Sequence, residues 1–124
     1  MSIRVLVTDD LPFMREAIRD VLESAGITVV GEAENGRDMM YRYADLEPDV
    51  VLLDITMPVM DGITALRKLI RYDPSARVVM CSALNEQELI LRSIQLGARD
   101  FVVKPFEAQR IVSAVTKAMN VDDR

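Results

Sequence analysis

The chain contains no histidine. That absence removes Ser-His-Asp and Cys-His triads, histidine metal ligands and any role as a phosphohistidine carrier. Cys81 is its one cysteine, so no internal disulfide can form, which suits a reducing compartment. Cys81 ends an apolar run and reads as a buried, inert thiol rather than a nucleophile. Positive charge is scarce: 15 Lys and Arg stand against 20 Asp and Glu, a net charge of −5. A duplex-binding module needs a basic stripe to displace counterions, so no direct nucleic-acid contact is expected. No apolar run approaches the ~20 residues that cross a bilayer, and no membrane contact is expected. Met1-Ser2-Ile3-Arg4 leads straight into a candidate strand, with no signal peptide. These absences together predict a cytoplasmic protein.

What is present is enough for one folded domain spanning residues 1–124. Half the residues are hydrophobic, and the 28% that are charged is too ordinary a share for disorder. Five apolar runs alternate with amphipathic stretches. Arg4–Thr8, Thr28–Val30, Val50–Leu53, Arg77–Cys81 and Phe101–Val103 are rich in Val, Ile and Leu with little in–out alternation, the pattern of strands covered on both faces. In the first helix Met14, Ala17, Ile18, Val21, Leu22 and Ala25 recur three and four apart, with Arg15, Glu16, Arg19, Asp20 and Glu23 between them and Gly26 as the stop. Further helices are predicted over Gly36–Leu46, from Asp61-Gly62 to Asp73-Pro74, from Asn85 as N-cap to Leu96, and over Glu107–Asn120. The reading is α/β: a doubly wound (βα)5 sandwich whose right-handed crossovers make the sheet parallel.

Ligands of such sheets bind beyond the carboxyl ends of the strands. Asp9-Asp10 follow the first run, Asp54 the third, Ser82 the fourth and Lys104 the fifth. Singly, each has a bland alternative. Asp10 could cap the first helix, Asp54 could be an ordinary loop residue, Ser82 a turn hydroxyl, and Lys104-Pro105 a mere strand end. Jointly they gather three acids, a hydroxyl and an ammonium at one edge. That set suits a divalent cation and a phosphoryl group.

The chain resembles the response-regulator receiver domain, the phospho-accepting module of two-component signalling. The resemblance rests on Val7-Thr8-Asp9-Asp10, Leu53-Asp54-Ile55-Thr56-Met57-Pro58 with Asp61-Gly62, Ser82-Ala83, Gly97-Ala98, and Phe101 with Lys104-Pro105-Phe106. It covers nearly the whole chain and implies a flavodoxin-like five-stranded sheet in the order 2-1-3-4-5. It further implies that Asp54 is the nucleophile for a phosphoryl group from a sensor kinase's phosphohistidine. Mg²⁺ would be held by Asp10 and Asp54 directly, by the backbone carbonyl of Thr56, and by Asp9 through water. Lys104 would pair with Asp54 beforehand and meet the phosphoryl oxygens during transfer. Lys104-Pro105 would be cis.

By the same resemblance Ser82 and Phe101 form a switch pair. The hydroxyl would swing to the new phosphoryl group and the ring would enter the space it leaves, remodelling the face of the fourth helix, fifth strand and fifth helix. Thr56 and Leu84 would line the mouth and tune phosphoryl lifetime. Met57-Pro58 and Met60 read as packing of the loop after Asp54. The bland reading of Phe101 is ordinary core packing.

With the last residues at Val121-Asp122-Asp123-Arg124, no output domain is expected unless the sequence is part of a longer one. Pro12-Phe13-Met14-Arg15, Gly31-Glu32-Ala33-Glu34-Asn35-Gly36, Asp54-Ile55-Thr56-Met57-Pro58 and Cys81-Ser82-Ala83 look most like the stand-alone chemotaxis receivers. That likeness implies a monomer phosphorylated by a CheA-like histidine kinase and binding a FliM-like flagellar motor switch protein. Two alternatives stay open. One is a receiver cut from a transcription factor or methylesterase. The other is an enzyme, a phosphatase of the haloacid dehalogenase type. Such an enzyme needs a second acid two residues beyond its nucleophile, where this chain has Thr56. The chain is therefore expected to be a signalling acceptor that assists its own phosphoryl transfer and dephosphorylation, not an enzyme.

Overall fold

A computed structural model describes residues 2–120; Met1 and the expected tail at 121–124 lie outside the described residues. Strands and helices alternate as β1 (Arg4–Thr8), α1 (Pro12–Ser24), β2 (Thr28–Ala33), α2 (Gly36–Leu46), β3 (Val50–Leu53), α3 (Gly62–Tyr72), β4 (Val78–Ser82), α4 (Gln87–Gln95), β5 (Asp100–Val103) and α5 (Ala108–Met119). The five strands form one parallel sheet in the order β2-β1-β3-β4-β5, as the resemblance implied.

Alternating side chains of the central strands feed two cores. Leu6, Val51, Leu53, Val78 and Met80 pack with α2, α3 and Phe101 on one face. Val5, Val7, Val50, Leu52 and Val79 pack with α1 and α5 on the other. Burial on both faces explains why these strands read as continuous apolar runs.

Two boundaries depart most from the sequence reading; β4, β5 and α5 shift by one residue. β2 continues through Gly31-Glu32-Ala33, pairing Leu6 with Gly31 and Val7 with Glu32 after a register shift. As an edge strand it tolerates a carboxylate, and Glu32 is matched there by Arg15 and Arg19 of α1. α4 begins at Gln87, and Asn85 is not its cap. Glu86 holds that position, without a side-chain cap bond, and its carbonyl accepts from Leu89 and Ile90. Asp10 does not cap α1 either: Leu11 is the N-cap and Pro12 opens the first turn. Elsewhere Asn35 and Asp61 cap α2 and α3 through Asp38 and Thr64.

The loop after β3 carries backbone strain. Met60 N–H donates to the Pro58 carbonyl at 2.7 Å, which closes a γ-turn with Val59 at φ +70°. A β-branched residue pays steeply for positive φ, and Val59 is 75% exposed, so packing returns little. Val59→Asn should raise stability by about 1 kcal/mol, seen as a higher urea midpoint at unchanged slope. An unchanged or lower midpoint would mean that the turn is not strained.

Candidate functional site

The carboxyl edge of the sheet brings the expected polar groups together. Asp9, Asp10 and Asp54 each offer an oxygen, and these oxygens lie within 4.8 Å of one another. β1 and β3 are neighbours, with Thr8 opposite Leu53, so the residues that follow them must converge. Asp9 and Asp54 are buried and Asp10 is half-buried. A cleft of about 520 Å³ opens over them, lined by Asp10, Asp54, Thr56, Ser82 and Lys104 with an apolar rim of Leu11, Met14, Ala83, Leu84 and Pro105. Thr56 is exposed at the mouth.

Asp54 is held by its surroundings more than by charge. Its Oδ1 accepts from Ile55 N–H at 2.8 Å, and its own N–H donates to the Thr8 carbonyl. Burial pushes its carboxyl up to about 6; Lys104 opposes this, and the Asp9 charge adds to it. Gly62 makes the arrangement possible. A Cβ there would overlap the carbonyl oxygen of Asp54, and Gly62 N–H donates to Ile55 O at 2.7 Å. The start of α3 thus lies directly against the Asp54–Ile55 peptide. The sequence reading uses Asp61-Gly62 as a helix start and as a landmark of the resemblance, without this contact.

Lys104 does not pair first with Asp54. Its Nζ donates to Asp9 Oδ2 at 2.6 Å and lies 3.7 Å from Asp54 Oδ1. Asp9 is the more deeply buried acid and has the greater need of a counter-charge. Burial works against the Lys104 ammonium, but the Asp9 hydrogen bond and the Asp54 and Asp9 charges outweigh it and hold its pKa above the usual range. The second oxygen of Asp9 accepts from Leu11 N–H at 3.0 Å, so both of its oxygens are engaged. The Lys104–Pro105 peptide bond is cis.

Ser82 Oγ accepts from Leu84 N–H at 3.1 Å at the carboxyl end of β4. The Phe101 ring is already inside the core, with Met80 and Ala98 in the same cluster. Met57 and Met60 pack against that core as expected. Burial pushes the Cys81 thiol up to about 12, which makes it inert.

A family model described as the response regulator receiver domain matches residues 5–116. The chain belongs to that family. This receiver is 48% identical over 120 residues to the chemotaxis protein CheY of Bacillus subtilis, covering 97% of this chain and 100% of that protein. Its fold matches the response regulator domain of Thermotoga maritima CheB with a TM-score of 0.92 at 36% identity, over 98% of this chain and 99% of that one. It also matches a chain of the CheX–CheY–BeF3–Mg complex from Borrelia burgdorferi, with a TM-score of 0.90 at 34% identity, over 93% and 87% of the two chains. Receivers are signalling modules rather than conventional enzymes, so the phosphatase reading falls. Among the described residues no helix is long and apolar enough to cross a membrane.

Proposed function

We propose that this receiver is a cytoplasmic phospho-acceptor in which Asp54 takes a phosphoryl group from a CheA-like sensor kinase. The observation that carries the reading is the buried Asp54 carboxylate, set beside two other acids and Lys104 at the floor of an open cleft. A carboxylate suits this task because an acyl phosphate keeps a high transfer potential. The phosphoryl–nitrogen bond on the kinase breaks as the phosphoryl–oxygen bond to Asp54 forms.

The donor set fits Mg²⁺, a hard cation that prefers carboxylate and carbonyl oxygens and keeps several waters. Asp10, Asp54 and the Thr56 carbonyl would hold it directly. Asp9, whose two oxygens already serve Leu11 N–H and Lys104, would act through water. When bound, Mg²⁺ supplies the positive charge that three acids and an incoming phosphoryl group require. Lys104 turns from Asp9 toward the phosphoryl oxygens, a move eased by the 3.7 Å that already separates it from Asp54. Thr56 and Leu84 at the mouth set access for the water that later removes the group.

Ser82 and Phe101 carry the signal outward. The Ser82 hydroxyl accepts from Leu84 N–H, which leaves its own proton free to donate to a phosphoryl oxygen. Its move draws the 83–86 segment toward the site and favours the buried Phe101 ring over any outward alternative. The face affected is α4-β5-α5, where Leu91, Ile94 and Val103 are exposed. A helical segment of a FliM-like motor protein fits such a surface.

The test uses beryllofluoride with Mg²⁺ as the phosphoryl mimic and a FliM N-terminal peptide as the partner. The mimic should tighten peptide binding about tenfold. Equal affinity with and without it would end the motor-switch output while leaving the acceptor role intact. It would favour a second reading, the receiver of a methylesterase, which the likeness to the Thermotoga maritima CheB domain supports.

A further inference from the structure

Asp9 and Asp10 lie in a three-residue connection, Asp9 to Leu11, between the end of β1 and the start of α1. A short link alone does not aim a carboxylate, because each residue keeps two soft dihedrals. Here the main chain is gripped from both sides. Asp9 N–H donates to the Ala33 carbonyl of β2 at 3.0 Å, and the Asp9 carbonyl accepts from Arg15 Nη1 of α1 at 2.6 Å. That carbonyl belongs to the Asp9–Asp10 peptide plane, so holding it anchors the plane about which Asp10 turns and narrows the directions in which its side chain can leave the backbone.

Arg15 is itself anchored. Its Nε donates to Glu32 Oε1 at 2.9 Å, and Glu32 Oε2 accepts from Arg19 Nε and Nη2 at 3.0 and 2.8 Å. Burial pushes the Glu32 carboxyl up, but the Arg19 and Arg15 hydrogen bonds outweigh it and hold the carboxyl below its usual range. An ionised Glu32 also answers the Arg15 charge. The guanidinium can then approach a cation site without strongly repelling the cation. Arg15 is only 15% exposed in this position.

Resting on the receiver reading, we propose that Arg15 is a positioning residue for the Mg²⁺-binding carboxylates, acting through the Asp9 carbonyl with Glu32 as its anchor. A bland alternative makes Arg15 a tie between α1 and the edge strand β2. That tie needs the Glu32 contact alone and leaves the 2.6 Å bond to Asp9 without a purpose. Groups that orient metal ligands from behind change metal affinity by about 10- to 100-fold when lost.

The experiment is a Mg²⁺ titration followed by NMR on the intact chain, comparing Arg15→Gln with Arg4→Gln. Arg4 makes the same type of bond at the opposite end of β1, to the carbonyls of Leu46 and Glu47, so it controls for general loosening and for lost charge. Removing a cation should by itself tighten Mg²⁺ binding, so a loss isolates the positioning role. Arg15→Gln should weaken Mg²⁺ about tenfold and move the Asp9 carbonyl carbon resonance in metal-free protein, while Arg4→Gln stays within about twofold. An unchanged Mg²⁺ affinity in Arg15→Gln, or an equal loss in Arg4→Gln, would overturn the proposal and spare the receiver reading. A wild-type chain that takes up no Mg²⁺ would overturn both.

Discussion

Lys104→Met should destabilise the metal-free protein by about 3 kcal/mol at neutral pH and stop phosphoryl uptake at Asp54. The ammonium is largely buried and contacts Asp9 at 2.6 Å and Asp54 at 3.7 Å. Removing it leaves two buried carboxylates facing each other and Asp10, with the Ile55 and Leu11 amides as their remaining donors. An unmatched buried charge costs more than the pair ever contributed, which is why the loss should be large. Millimolar Mg²⁺ should restore part of it, since a ligand that binds only the folded chain stabilises by mass action. Urea unfolding with and without Mg²⁺ reads both effects. A loss below about 1 kcal/mol would mean that Lys104 is not compensating these acids.

Asp54→Asn should act in the opposite direction and make the metal-free protein more stable at pH 7. Burial raises the Asp54 carboxyl from 3.8 to about 6 in the folded chain. The folded state therefore keeps this proton to higher pH than the unfolded state does. Losing it between pH 4 and 6 costs the folded state about 3 kcal/mol, a penalty complete above pH 6 and absent below pH 4. The amide can still accept from Ile55 N–H and carries no charge, and the raised carboxyl value already includes the Lys104 attraction, so a net gain of about 3 kcal/mol is expected above pH 6. The two proteins should converge as the pH falls toward 4. Equal stability at pH 7 would show that Asp54 is better solvated than its burial implies. A group that destabilises its own fold at working pH fits a place reserved for function.

The sequence made the polar edge legible because the strands are buried on both faces. Their apolar runs ended cleanly, so Asp9, Asp54, Ser82 and Lys104 could be assigned to one edge from chain position alone. Pairings across that edge were not legible. Lys104 goes first to Asp9 because Asp9 is the deeper acid, and depth follows only from packing. β2 was cut short at Val30 because Gly31-Glu32 resembles a loop until its edge position and the two α1 arginines are known. Arg15 looked like one more charge on the polar face of α1. Its bond to Asp9 spans the turn into the helix, a contact that helical spacing does not register. Gly62 carried a usable signal, a glycine directly after a capping aspartate, but its overlap with the Asp54 carbonyl required the folded loop. Val59 at positive φ had no signal, since valine is among the least expected residues there.

On this proposal Asp54 accepts a phosphoryl group with the help of a divalent cation. Mass measurement after incubation with acetyl phosphate tests it most directly, with peptide mapping, in the presence of Mg²⁺ or of a chelator. One phosphoryl group should be added on the peptide containing Asp54, and none with the chelator or in Asp54→Ala. Persistent modification in Asp54→Ala, or equal uptake without Mg²⁺, would contradict it.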